Sequence, residues 1–131
     1  MPGLTTKAAV FDSSALILFL NDALPTETLE LLEHCLHSRQ LLISAIARAE
    51  VLAWSGHSAV SLATALSLLD ACQLVTVNAV VADEGARIRR ETGLKLPDAL
   101  IAATALLQGA ALVTANAKDF RRVPGLTLIE T

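Results

Sequence analysis

The chain predicts an α/β fold, a three-layer α/β/α arrangement around a mainly parallel central sheet. Three observations carry that prediction. Short apolar runs with strand character alternate with longer helical patterns from one end of the sequence to the other. The apolar share is high, at 53%, and the aromatic share is 3%, so Ala, Leu, Val and Ile must fill the interior, as suits helices packed closely on a sheet buried on both faces. No long linker, repeat or low-complexity tract interrupts the rhythm, and 131 residues make one domain, residues 1–131, with a core of useful size.

The elements follow in order. Residues 8–11 form a short apolar strand, and a helix runs from about Ser14 to Leu20. Pro25 and Thr26 open a helix to about His37, with Leu29, Leu32 and Leu36 on one face and Glu27, Glu30 and Glu33 on another. Leu41 to Ile43 is a strand, and Ser44 suits the N-cap of a helix to Trp54 that Gly56 ends. Ser58 to Cys72 is helical, Leu74 to Val77 a strand, and Asn78 to Thr92 a helix stopped by Gly93. Pro97 and Asp98 open a helix to Gln108, with Gly109 as its stop. A strand at 111–113, a turn or short helix at 118–122 and a strand at 127–129 complete the chain.

Composition excludes several classes. A net charge of −3 gives no global attraction to nucleic acid, so a polyanion would need a local basic patch. Lys7 precedes an apolar run, but Asp12, Ser13 and Ser14 interrupt it too early for a secretory signal. No stretch approaches the ~20 apolar residues of a membrane span. Cys35 and Cys72 lack CxxC spacing and lie in helical apolar patterns, which makes them small core residues of a reduced, cytoplasmic protein. His34 and His37 lie three apart, as metal ligands can, but on a polar helix face that reads as solvated.

Four carboxylates, Asp12, Glu50, Asp98 and Asp119, each sit in or beside an apolar stretch, where an unpaired charge is costly to bury. Individually each is ambiguous. Asp12 also suits a helix cap, Glu50 also suits an exposed position, Asp98 also suits a helix start, and Asp119 also suits a solvated turn. Brought together, they make a hard-oxygen cage for Mg²⁺ or Mn²⁺. In parallel α/β sheets, sites lie beyond the carboxyl ends of strands, where Asp12, Ser44 and Thr114 are expected.

The segments Val10-Phe11-Asp12-Ser13-Ser14-Ala15-Leu16-Ile17, Ile43-Ser44-Ala45 through Glu50-Val51-Leu52, Leu96-Pro97-Asp98-Ala99-Leu100-Ile101-Ala102-Ala103 and Leu112-Val113-Thr114-Ala115-Asn116-Ala117-Lys118-Asp119-Phe120 occur in that order. In this the chain resembles the PIN-domain ribonucleases, most closely the VapC-type toxins of prokaryotic toxin–antitoxin pairs. The resemblance implies that Asp12, Glu50 and Asp98 are acidic metal ligands, that Asp119 completes the quartet, and that Asn116 is the competing fourth ligand through a neutral carbonyl oxygen. Ser14 and Thr114 match the family's small hydroxyls, which orient a carboxylate or a water. The implied activity is endoribonuclease cleavage of RNA, dependent on Mg²⁺ or Mn²⁺ and using a metal-activated water. A homodimer and a cognate VapB-type antitoxin are the implied partners, and the apolar richness of the helices at 14–20 and 58–71 gives both of them surface to bind.

Seven of the ten basic residues flank the last two acidic positions: Arg87, Arg89, Arg90 and Lys95 precede Asp98, and Lys118, Arg121 and Arg122 surround Asp119. They are candidate phosphate contacts, and Arg89 and Arg90 equally suit a solvated helix face. Two other α/β enzyme classes fit less well. A phosphotransfer receiver needs an acidic pair near its first strand, and a haloacid-dehalogenase-type phosphatase needs Asp where Ser14 stands. The competing non-enzymatic reading is a catalytically weak PIN-like protein-binding module.

Overall fold

The computed structural model describes residues 8–131. Lys7, which entered the reading of the first apolar run, lies outside them. Five strands form one sheet: β1 (Ala9–Phe11), β2 (Leu41–Ser44), β3 (Gln73–Val75), β4 (Ala111–Thr114) and β5 (Leu128–Glu130). Their order is β3-β2-β1-β4-β5 and every pairing is parallel. Parallel pairing requires a crossover between successive strands, and helices supply it. These are α1 (Ser13–Leu20), α2 (Thr26–His37), α3 (Ala45–Leu52), α4 (Ala59–Ala71), α5 (Ala79–Thr92), α6 (Leu96–Gln108) and α7 (Ala117–Phe120).

The chain steps outward from β1 to β2 and β3, then returns to place β4 on the other side of β1. The winding direction therefore reverses between β1 and β4. At such a reversal the crossovers diverge and leave a crevice beyond the strand carboxyl ends. The backbone N–H of Asp12 donates to the Val113 carbonyl at 3.1 Å, so the crevice opens where the β1–β4 ladder stops.

The core follows the aliphatic composition. Val10, Phe11, Ile43, Leu112 and Val113 of the sheet are fully buried, and Ala15, Ala47, Ala99, Ala102, Ala103 and Ala105 present small buried faces on the helices. Cys35 and Cys72 are buried free thiols, and burial pushes the Cys72 thiol up to about 11. α5 and α6 approach so closely that a Cβ on Gly85 would stand 2.6 Å from Leu100 Cδ2.

Several boundaries differ from the sequence expectation for local reasons. The helix expected to reach Trp54 stops at Leu52, with Ala53 as C-cap, because Val51 gives its carbonyl to the Trp54 N–H and the His57 ring. α6 starts at Leu96, one residue before Pro97, so Asp98 lies in its first turn while Lys95 occupies the cap. Gly109 ends α6 at φ 62°, and no atom lies near its missing Cβ. Gly109→Ala therefore adds backbone strain alone and is expected to cost about 1 kcal/mol. A melting temperature lowered by roughly 3–5 °C is the readout.

Candidate metal centre

Asp12 is the anchor of the crevice and is 4% exposed. It is the N-cap of α1, where its Oδ1 accepts from the Ala15 N–H at 3.0 Å and from Ser14 Oγ at 2.6 Å. Its Oδ2 accepts from Thr114 Oγ1 at 2.5 Å. Asp12 therefore caps α1 with the same carboxylate that stands at the end of β1. Ser14 Oγ also lies 3.4 Å from Thr114 Oγ1 and accepts from the Ala115 N–H at 3.0 Å, which ties α1 to the end of β4. Burial raises the Asp12 carboxyl above its ordinary range, and the hydroxyl and amide donors offset part of that rise.

Glu50 sits half-buried in the last turn of α3, and Ser13 Oγ donates to its Oε1 at 3.0 Å. The sequence reading assigned Ser13 no role at the site and gave one only to its neighbour Ser14. The signal was present but silent: adjacent serines after a strand-ending Asp point to different partners once the helix starts. Burial is also the main cause that raises Glu50, followed among raising causes by the charges of Asp98 and Asp12. Asp98, in the first turn of α6, is raised chiefly by burial and then by the charges of Asp12 and Asp119, with Lys95 opposing. These charges acting on one another make the four carboxylates electrostatic neighbours, although 107 positions separate Asp12 from Asp119.

Asp119 is the most open of the set, its side chain 45% exposed. The Asn116 amide donates to its Oδ2 at 2.8 Å, and Arg122 stands 3.9 Å from its Oδ1. Asn116 therefore spends its amide nitrogen on Asp119, and its backbone N–H donates to Thr114 Oγ1 at 2.9 Å. Among the described residues, no three Asp, Glu, His or Cys side chains stand together as a ready metal cage. The donor set still fits a hard divalent cation, because carboxylates raised by burial, Glu50 and Asp98 also by neighbouring charges, gain from a positive charge between them.

The basic residues divide into two groups. Arg87 is held by Glu84 at 2.7 Å and by Glu91 at 2.9 Å, and Arg121 by Glu130 at 3.0 Å. Arg89 donates to the Gly93 and Leu94 carbonyls at the end of α5, and Arg122 to the Thr92 and Asp119 carbonyls. The side chains of Arg90, Lys95 and Lys118 have no hydrogen-bond or ion-pair partner among the described residues. Away from the crevice, Arg48 pairs with Asp70 at 3.1 Å, and His34 and His37 both lie on the exposed face of α2.

A wholly parallel 3-2-1-4-5 sheet with carboxylates gathered at its switch point defines an α/β domain with an acidic site. Residues 9–126 match the family model of the PIN domain, and the chain belongs to the PIN-domain family. A structure described as a toxin–antitoxin complex from Klebsiella pneumoniae contains a chain 30% identical to this one, with a TM-score of 0.77 over 95% of this chain and 100% of that chain. VapBC2 from Rickettsia felis, bound to a promoter DNA fragment, has a chain 24% identical with a TM-score of 0.76, covering 95% and 98% of the two chains. DNA-bound VapBC from Salmonella typhimurium has one 19% identical with a TM-score of 0.76 over the same shares, and these last two show the shared fold. Comparison with curated proteins found no significant match. No helix among the described residues is long and apolar enough to cross a membrane.

Proposed function

We propose that this protein is a divalent-metal-dependent endoribonuclease, the VapC-type toxin of a toxin–antitoxin pair. The observation that supports this reading best is that burial raises both Glu50 and Asp98 and the charge of Asp12 raises each of them further. Carboxylates gathered beyond the sheet's switch point suit a cation and little else. Asp12, Glu50 and Asp98 would hold Mg²⁺ or Mn²⁺, with Asp119 or the Asn116 carbonyl as fourth donor. The bound ion supplies charge neutralisation at a scissile phosphate and acidifies a water. Ser14 and Thr114 keep Asp12 in one orientation, and Ser13 does the same for Glu50. Lys95 and Lys118, exposed beside Asp98 and Asp119, are the best-placed phosphate contacts.

The toxin role draws on the Klebsiella pneumoniae relative, whose structure is a toxin–antitoxin complex. A VapB-type antitoxin needs a seat, and α4 offers one. Val60, Leu62 and Leu66 are exposed there, and Val60 lines a groove of about 300 Å³ with Phe19 and Leu20 of α1. A homodimer and a cytoplasmic location complete the reading.

The test is cleavage of mixed RNA by purified protein with Mg²⁺, Mn²⁺ or EDTA. Expected is cleavage in either metal and none in EDTA. Cleavage that persists in EDTA and survives Asp12→Ala overturns the proposal. Ser13→Ala is expected to weaken Mn²⁺ binding by about 10–100-fold by freeing Glu50, read by calorimetry on a protein whose circular dichroism is unchanged. One observation favours a second reading, a catalytically weak binding module: Asp119 is engaged by Asn116 and Arg122. Glu50→Gln separates the two, since a nuclease loses cleavage and a scaffold loses nothing.

A further inference from the structure

His57, the third histidine of the chain, lies in the link between α3 and α4, and both nitrogens of its half-buried ring are engaged. Nε2 stands 2.8 Å from the Val51 carbonyl and Nδ1 stands 2.9 Å from Ser61 Oγ. A carbonyl can only accept, so Nε2 carries the hydrogen, and Nδ1 of the neutral ring accepts from the Ser61 hydroxyl. Ser61 Oγ in turn accepts from the Ser58 N–H at 2.9 Å, within the capping box of α4. The ring thus joins the last turn of α3 to the first turn of α4. Trp54 braces it. The indole meets the imidazole edge-on, with centroids 5.0 Å apart, and lies so close over Gly56 that a Cβ there would collide with it.

That engagement matters most for α3. The helix has 8 residues, too few to hold itself in water. It ends on Ala53 in right-handed geometry, with no left-handed glycine and no basic residue in its last turn. The usual means of satisfying terminal carbonyls are therefore missing, and His57 supplies one from outside the helix. The Val51 side chain is buried, which seats the turn on the core, and the imidazole N–H fixes its main chain. Glu50 precedes Val51 in the same turn, with Ser13 on its carboxylate. Main chain and carboxylate are thereby held from two sides. An N–H aimed at the carbonyl end of α3 also offsets part of the negative potential that this end exerts on Glu50.

We propose that His57 is a positioning residue of the metal centre: its Nε2–H, oriented by Ser61 and braced by Trp54, keeps the last turn of α3 closed and Glu50 within reach of a divalent cation. The proposal rests on the metal-centre reading above and adds to it a residue that acts through Glu50. What the site needs at position 57 is an N–H donor toward Val51, and an aromatic ring of the same size does not replace it.

Calorimetric titration of the full chain with Mn²⁺ tests it. His57→Phe and His57→Leu remove the donor, and His57→Gln returns an N–H at the same reach. Expected is a dissociation constant raised about tenfold in the first two and brought most of the way back in His57→Gln, with unchanged circular dichroism throughout. In the Glu50→Gln background, where the ligand is already lost, His57→Phe is expected to add no further weakening, because residues that act through one another are not additive. A wild-type protein that binds no Mn²⁺ overturns the metal centre itself. Wild-type affinity in His57→Phe and His57→Leu leaves the centre standing and overturns the role of His57. Equal weakening by His57→Phe with and without Glu50 also overturns it, since the effect then bypasses that carboxylate. A glutamine no better than phenylalanine overturns the N–H donor as the cause. Loss of the native circular dichroism in every His57 variant makes the ring an element of the fold alone and overturns the assignment too.

Discussion

Asp98→Asn is expected to lower RNA cleavage by about 10³-fold while leaving the fold intact. The substitution keeps the size and shape of the side chain in the first turn of α6 and removes its charge. A metal's stabilisation of transition-state charge is worth several kcal/mol, and about 4 kcal/mol corresponds to three decades in rate. Asp98 makes no side-chain hydrogen bond that the helix depends on, because Lys95 holds the cap position. Its carboxyl is raised by burial and by the charges of Asp12 and Asp119, so the neutral amide is easier to accommodate when no cation is present. The variant should therefore melt no lower than wild type in EDTA and lose most of the rise produced by Mg²⁺. Cleavage within tenfold of wild type would remove Asp98 from the ligand set.

The second large effect is the dependence of that Mg²⁺ response on pH. Asp12, Glu50 and Asp98 all have native carboxyls raised above their unfolded values. The native state then binds more protons than the unfolded state between the two values, so stability falls as pH climbs through that window. This contribution is fully present below the unfolded carboxylate range and is lost once the three groups ionise. A cation restores it at neutral pH. At 100 times its dissociation constant, a ligand specific to the native state adds about 2.7 kcal/mol. Protons compete for the same oxygens in acid. Thermal melts with and without Mg²⁺ should therefore show a rise of roughly 8–13 °C at pH 7.5 and a much smaller one at pH 4.5. Equal rises at both values, or an undiminished rise in Glu50→Gln, would remove these carboxylates as the cation's seat.

The fold was legible because its signals are local. Strand runs such as Ala9–Phe11 and Leu41–Ser44 alternate with helices capped by Asp12, Ser44, Ser58 and Asn78 and stopped by Gly93 and Gly109. The switch point was not legible, since it depends on β4 pairing with β1, and pairing order is a property of the assembled sheet. The carboxylates could be found because charge inside apolar sequence stands out. Ser13 could not, because only the crossing of α1 and α3 brings it to Glu50, 37 residues away. The engagement of the basic cluster was not legible for the same reason. Density along the sequence gave no hint that Glu84, Glu91, Glu130 and main-chain carbonyls already engage Arg87, Arg89, Arg121 and Arg122.

The position of Glu50 at the closing turn of α3 sets it apart from its companions. Asp12 and Asp98 stand where their helices begin, and the exposed amide hydrogens there favour negative charge. Glu50 stands at the opposite pole, where the carbonyls of α3 point outward and disfavour it. Asp12 is also built into the architecture as a cap, whereas Glu50 contributes nothing to its own helix terminus. On the proposed nuclease reading, descendants of this chain that give up catalysis for binding would shed Glu50 first, and drift at residue 50 with residue 12 retained would be the genetic trace of that change.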